Sequence, residues 1–198
     1  MQLLRHVEEP VAARPGRVRA AWRAVHTPVS GVSRRTQLVA RVVPFTVLPA
    51  GIWRLPVAFD EGIGLGERAY VVFLSVLSEV LACTAFGLVA RWGEVFPRWI
   101  PFLGGRRVPA KAAVIPAAIG ATILTLLFTL LFVVSEIRGT TIRGDVLSAD
   151  FPSRAGGWEA AWFLFCYAPL TLWGPLLAVL TVAYGKRRRA GGNVPAAA

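Results

Sequence analysis

The carboxylate of Glu79 is the side chain in this sequence whose position could most readily support chemistry. It lies near the middle of an apolar stretch at residues 69–90. If that stretch crosses a bilayer as a helix, Glu79 lies close to the membrane centre, where an unpaired charge is costly. Three states are therefore predicted: an ion pair with Arg54, a protonated carboxyl hydrogen-bonded within a bundle, or a carboxylate that couples proton or cation movement to transport.

A second set of chemically useful residues lies in the segment 91–109, which is apolar, aromatic and basic at once. Its prolines disfavour a long helix, and its aromatic rings suit the depth of lipid headgroups. Arginine also suits bidentate contact with phosphate. The segment is predicted either to bind a lipid headgroup or a partner, or to lie along the membrane as a simple anchor. The residues assigned to this candidate loop are Trp92, Glu94, Arg98, Trp99, Arg106 and Arg107.

Two short motifs in this loop carry a resemblance to a known group of proteins. Residues 92–99 read Trp-Gly-Glu-Val-Phe-Pro-Arg-Trp, and residues 105–109 read Gly-Arg-Arg-Val-Pro. In these motifs the chain resembles uncharacterised four-span integral membrane proteins of high-GC Gram-positive bacteria. The resemblance is clearest from the second apolar stretch into the third. It implies a bacterial membrane protein with four spans, and it brings no known activity.

Four apolar stretches must position these residues. Hydrophobic residues make up 55% of the 198-residue chain and are concentrated in blocks of helical, transmembrane length. The blocks are continuous and show no alternation with period two, which favours helices over a β-barrel. The sequence therefore predicts an all-α, polytopic membrane protein with four transmembrane helices. The predicted spans are residues 38–59, 69–90, 112–134 and 158–184.

The distribution of basic residues predicts the orientation of these spans. Sixteen Lys and Arg residues lie in the two termini and the loop 91–111, whereas four lie in the two remaining loops. The positive-inside rule then places both termini in the cytoplasm of a multi-pass plasma-membrane protein. Residues 1–37 are predicted to be a basic, disordered cytoplasmic tail, and residues 185–198 a basic cytoplasmic C-terminal tail. Residues 38–184 form the transmembrane domain in this prediction.

A formal net charge of +11 would suggest nucleic acid as a partner for a soluble protein. Here the positive-inside rule and anionic lipid headgroups account for the charge, and no nucleic-acid-binding motif accompanies it. The two histidines, His6 and His26, lie in the N-terminal tail, and no metal-ligand spacing is found. We therefore expect no cofactor, no metal and no nucleic acid, and we consider an enzyme the less favoured class.

The third apolar stretch carries small residues at every fourth position, the pattern through which membrane helices approach closely. The stripe is predicted to pack within the bundle or to mediate self-association between protomers. Its members are Ala113, Ala117, Ala121, Thr125 and Thr129.

The fourth apolar stretch contains Pro169, Gly174 and Pro175. Each proline removes a backbone donor, so the helix is predicted to bend or unwind locally there. Broken helices line substrate sites in transporters, but neighbouring helices can also satisfy the freed carbonyls of a structural kink.

Taken together, the sequence predicts a structural or accessory membrane component. The alternative is a small transporter or permease protomer that uses Glu79, and a third possibility is a lipid-binding or lipid-modifying protein. The expected partners are anionic lipid headgroups at the cytoplasmic face and further copies of the same chain in a homo-oligomer.

Overall fold

The computed structural model describes residues 29, 31–95, 105–141, 144–149 and 151–192. Across this part of the chain the regular structure is helical, and the only strand-like pairings in it are two isolated antiparallel bridges. The helices are α1 (Arg34–Phe59), α2 (Leu65–Cys83), α3 (Ala110–Leu124), α4 (Phe132–Arg138), α5 (Gly157–Tyr167) and α6 (Trp173–Gly192).

Short segments of tighter or wider helix join several of these elements. The 3₁₀ segment Thr84–Leu88 prolongs α2, and a second 3₁₀ turn, Arg91–Gly93, follows it. The π-helical segment Thr125–Leu131 connects α3 to α4, and the 3₁₀ segment Ala168–Leu172 connects α5 to α6. The local unwinding predicted for the fourth apolar stretch is confirmed by this last segment, which contains Pro169.

Four continuous helical segments are long and apolar enough to cross a membrane. We call them span 1 (Arg34–Ala58), span 2 (Leu65–Leu88), span 3 (Ala110–Arg138) and span 4 (Gly157–Ala190). They are 24 to 34 residues long, more than the roughly 20 residues that a bilayer core requires. The prediction of an all-α protein with four membrane-crossing helices is therefore confirmed.

The helices extend beyond the apolar stretches at most of their ends. Span 1 begins at Arg34 because Ser33 caps it: the Ser33 hydroxyl oxygen accepts a hydrogen bond from the Thr36 backbone N–H at 3.2 Å. At the other end of the chain, α6 continues to Gly192, so Lys186 to Arg189 are helical. The side chains of these basic residues therefore project from span 4 in defined directions.

The spans pack side by side in the order 2, 1, 4, 3. Span 1 contacts both span 2 and span 4, and span 3 packs against span 4. Small side chains at these contacts let the helix backbones approach closely. The buried core consists mainly of Ala40, Val43, Val47 and Ala50 from span 1, Ala82 and Ala85 from span 2, and Leu170, Trp173, Leu180 and Tyr184 from span 4. Span 3 is the least buried of the four spans, since only 6% of the residues in its most apolar stretch are buried.

One end of the bundle gathers most of the basic residues, and we call it the basic end. The Val29 N–H donates to the Val89 carbonyl at 3.1 Å, which joins the start of span 1 to the end of span 2. Arg187 and Arg188 of span 4 reach the same place, where they donate to the carbonyls of Leu88 and Val108. The turn between spans 1 and 2 and the loop between spans 3 and 4 lie at the opposite end.

Candidate functional site

The carboxylate of Glu94 is the centre of a polar cluster at the basic end. Its Oε1 lies 2.7 Å from Nη2 of Arg187, and its Oε2 lies 3.8 Å from Nη1 of Arg188. All three side chains are largely buried, with 16 to 19% of each exposed. Because the pairs are shielded from water, they are screened less than surface ion pairs. The cluster therefore fixes the loop that follows span 2 to the last turns of span 4.

Backbone carbonyls add further hydrogen bonds to this cluster. The same Nη2 of Arg187 also donates to the Leu88 carbonyl at 3.3 Å, and Arg188 donates to the Val108 carbonyl. The Val108 N–H donates in turn to the Glu94 carbonyl at 2.8 Å, beside a bridge between Val95 and Arg107. The two basic side chains thus hold both ends of the loop between spans 2 and 3, at Leu88 and Glu94 on one side and at Val108 on the other.

Tyr184 forms the apolar floor of the cluster. Its side chain is 1% exposed, and its hydroxyl donates to the Gly93 carbonyl at 3.5 Å. The guanidinium carbons of Arg187 and Arg188 lie 5.3 and 5.8 Å from the ring centroid, within the range of cation–π attraction.

The loop after span 2 folds back on the helix at two glycines. A Cβ atom on Gly93 would overlap the carbonyl group of Gly87, so the two backbones touch directly. A Cβ on Gly87 would meet the Trp92 ring at 2.8 Å. Only glycine allows this close approach, which places Trp92 over the end of span 2.

The residues predicted for the candidate loop therefore have different environments. Glu94 forms ion pairs within the chain, and Trp92 packs on Gly87. Arg106 and Arg107 are exposed at the basic end. Arg98 and Trp99 lie outside the described residues.

Arg54, predicted to pair with Glu79, contacts an aromatic side chain instead. Its Nε donates to the Tyr167 hydroxyl at 3.1 Å, and its guanidinium carbon lies 5.5 Å from the centroid of the Tyr167 ring. Tyr167 belongs to a cluster with Trp53 and Phe163, whose ring centroids lie 5.3 and 4.5 Å from its own. Phe132 of span 3 stacks on Tyr167 at 6.4 Å, so this cluster joins spans 1, 3 and 4.

The depths of the two charged residues explain why the structure does not bring them together. Arg54 lies five residues before the end of α1, about 8 Å along the helix axis, whereas Glu79 lies fourteen residues into α2, about 21 Å along it. Since a short turn joins these helix ends, the depths differ by about 13 Å. Span 2 begins at Leu65, earlier than its apolar stretch indicates, and Glu79 is correspondingly deeper. Among the described residues, the ion pairs within 4.0 Å are those of Glu94.

Glu79 itself lies on the half-buried flank of span 2. The neighbouring side chains Val72, Val76 and Val80 are 40, 57 and 55% exposed, so this flank borders the surface that faces lipid. Within the described part of the chain, no hydrogen bond or ion pair satisfies the Glu79 carboxyl group.

The small-residue stripe of span 3 lies against span 4. Ala121 is 2% exposed, and a Cβ on Gly174 would overlap the backbone and hydroxyl of Thr125. One turn further along, the Thr129 hydroxyl donates to the Thr171 carbonyl. In a regular helix that carbonyl would accept from residue 175, but Pro175 has no N–H. Thr129 therefore satisfies a carbonyl that a proline four residues later leaves free.

A cleft of about 460 Å³ separates span 2 from span 3 toward the basic end. The walls come from both spans, and Trp173 and Leu177 of span 4 lie at its floor. The lining is almost entirely apolar, with Thr84 as its hydroxyl-bearing side chain. Glu79 is not among the lining residues of this cleft or of the two smaller described cavities.

Within the described ranges, no group of three or more His, Cys, Asp or Glu residues is placed to hold a metal ion. The two charged clusters described above are a carboxylate with two guanidinium groups and a guanidinium with a phenol. Both sets are suited to positioning helices.

Sequence reasoning missed Arg187, Arg188 and Tyr167 as the partners of these groups. Arg187 and Glu94 are 93 residues apart, and Arg187 lies in the segment that the sequence predicts to be a C-terminal tail. A usable signal was present, because Glu94 is a single carboxylate in a strongly basic segment. The partner of Arg54 had no comparable signal.

The chain matches no family model, no curated protein and no solved structure. The resemblance of residues 92–99 and 105–109 to uncharacterised four-span bacterial membrane proteins therefore stays a prediction.

Proposed function

We propose that this chain is a structural or accessory component of a bacterial plasma membrane, with both termini in the cytoplasm, and that it works in association with other transmembrane helices. The observation that carries the proposal is the partly exposed Glu79 side chain, which has no partner among the described residues. A carboxyl group at this depth is costly to leave facing lipid. A helix from outside the bundle that supplies a donor or a cation would remove that cost.

A second copy of the chain can supply such a group. Arg41 is exposed on the lipid-facing side of span 1, and no hydrogen bond or ion pair involves it within the described residues. Counted from the turn that joins spans 1 and 2, Arg41 and Glu79 differ in depth by about 6 Å. That difference is within the reach of an arginine side chain. A two-fold dimer would therefore form two identical Arg41–Glu79 pairs, because each contact in such an interface occurs twice.

Charge reversal tests this interface. Arg41→Glu and Glu79→Arg, each with a different affinity tag, are expected to weaken self-association when expressed singly and to restore it when co-expressed. In the mixed dimer the two introduced side chains face each other and are opposite in charge, and the remaining native Arg41 faces the remaining native Glu79. The readouts are co-purification of the two tags and molar mass in detergent by light scattering.

The matched control is Arg34→Glu, which makes the same charge change at the exposed start of α1. We expect it to leave self-association unchanged. A wild-type chain that is monomeric in lipid nanodiscs would contradict the homo-oligomer. Failure of the mixture to restore association would contradict the pairing between chains.

Transport is the second candidate function, and the position of Glu79 near mid-span favours it as well. A coupling carboxylate must exchange protons or cations with water. In proteoliposomes, Glu79→Gln would then abolish a proton-dependent flux while leaving the protein folded. Flux unaffected by Glu79→Gln would remove this candidate.

A further inference from the structure

The cleft between spans 2 and 3 has the form of a lateral site for a hydrocarbon chain. Its volume of about 460 Å³ lies within the range of small-molecule pockets, roughly 300 to 1,000 Å³. Leu81 on one wall and Ile123 on the other are each 50% exposed, so the cleft opens sideways to the surrounding lipid. In a bilayer, an apolar opening of this kind is filled by lipid or by another helix.

Small residues keep the cleft open. Ala117 and Gly120 line the wall on span 3, where larger side chains would fill the space. A Cβ on Gly120 would meet no atom within 4 Å, which shows open space beside this residue. The floor is the ring of Trp173, itself 3% exposed and stacked on Phe128 with a centroid distance of 6.0 Å. The cavity is therefore bounded by groups that are fixed by packing.

Two exposed cations that take part in no ion pair of the described bundle adjoin, in the chain, the residues that line the basic end of the cleft. Trp92 and Ala113 line this end, and Arg91 and Lys111 are close to them in the chain. Both basic side chains are exposed, and within the described residues neither takes part in an ion pair. By contrast, Arg187 and Arg188 nearby are already paired with Glu94.

We propose that the cleft binds one acyl chain of an anionic phospholipid, with the headgroup phosphate at the basic end near Arg91 and Lys111. The acyl chain follows from the apolar lining and the lateral opening. The anionic headgroup follows from the two unpaired cations, since Lys and Arg near the membrane surface attract anionic lipid. The site is independent of the surface that carries Glu79.

Native mass spectrometry of the full chain tests the acyl-chain part of the site. The protein would be reconstituted with equal amounts of phosphatidylcholine and phosphatidylglycerol and then extracted in mild detergent. Wild type is expected to retain phosphatidylglycerol selectively. Gly120→Phe, which fills the cleft, should reduce retention about tenfold, and the smaller Gly120→Leu should reduce it less. Ile119→Phe is the matched control, because Ile119 is 56% exposed on the same helix and does not line the cleft.

The headgroup part is tested by Arg91→Gln combined with Lys111→Gln, which should remove the preference for phosphatidylglycerol over phosphatidylcholine. The control is Arg138→Gln, since Arg138 is exposed at the opposite end of span 3. No retained lipid in the wild type, or equal retention in Gly120→Phe, would overturn the proposal. Loss of dimer mass without loss of lipid in Gly120→Phe would instead assign the cleft to a second copy of the chain.

Discussion

The hydrogen bond from Thr129 to Thr171 allows one stabilising contact between membrane helices to be tested by itself. Pro175 leaves the Thr171 carbonyl without its helical donor, and the Thr129 hydroxyl of span 3 replaces that donor. Thr129→Val preserves the shape of the side chain and removes the hydroxyl. The carbonyl would then lose the hydrogen bond that span 3 supplies.

We expect Thr129→Val to lower the free energy of unfolding by about 1 to 2 kcal/mol. An unsatisfied buried acceptor costs about 1 to 3 kcal/mol, whereas measured hydrogen bonds between membrane helices average about 0.6 kcal/mol with a maximum near 1.7. The measurement is reversible unfolding in mixed micelles, followed by circular dichroism. Thr122→Val is the matched control on the same span, because the Thr122 hydroxyl donates to the Ala118 carbonyl of its own helix at 2.9 Å.

A double-mutant cycle with Pro175→Ala isolates the cause. Alanine at position 175 supplies the missing N–H, so the Thr171 carbonyl regains a donor within span 4. In that background Thr129→Val should cost distinctly less than in the wild type, and the difference is the coupling energy. Equal costs in the two backgrounds, or a cost no larger than that of Thr122→Val, would refute the reasoning.

Three further substitutions test the contacts at the two ends of the bundle. Glu94→Gln should lower the free energy of unfolding by about 1 to 3 kcal/mol, because Arg187 and Arg188 lose their counter-charge. For the same reason, tryptic cleavage after Lys186 to Arg189 should become faster. Glu159→Gln, at an exposed residue, should change neither the free energy of unfolding nor the rate of cleavage. Tyr167→Phe keeps the ring contacts but removes the acceptor for Arg54, so a loss of about 1 kcal/mol in unfolding free energy is expected, and no loss would contradict the contact. Gly93→Ala should prevent the loop from closing on Gly87 and reduce the yield of folded protein, whereas Gly66→Ala, with open space around its Cβ, should be neutral or slightly stabilising in thermal unfolding.

The four spans could be predicted from the sequence because bilayer thickness imposes a length that apolar blocks reveal directly. The ends of the helices were harder to predict, since they depend on local capping. Capping by Ser33 starts span 1 at Arg34, four residues before Leu38, the first residue of its apolar stretch. The unwinding of span 4 was predictable from Pro169 and Pro175. Its consequence, the use of Thr129 as the replacement donor, was not, because hydropathy does not specify which helices are neighbours.

The charged residues show the same limit more sharply. Pairing Arg54 with Glu79 required their depths to agree within a side chain's reach, and an error of one helical turn in the start of span 2 was enough to hide the mismatch. Glu94 and Arg187 could not be paired from sequence because 93 residues separate them. Contacts of this kind depend on the order of the helices and on the rotation of each helix about its axis. Both are set by packing, and hydropathy alone does not give them.

Glu79 and Glu94 belong to the same part of the chain, yet the fold treats them differently, and that difference indicates where contacts with other molecules should occur. Glu94 has two cations from its own chain, so its removal should act through folding. Glu79 has none among the described residues, and Arg41, Arg91 and Lys111 are likewise unpaired there. A group satisfied within the bundle has little left to offer a ligand, whereas an unsatisfied one near or within a membrane needs a partner. Association between chains should therefore be sought at Glu79 and Arg41, and lipid binding at Arg91 and Lys111 beside the mouth of the cleft.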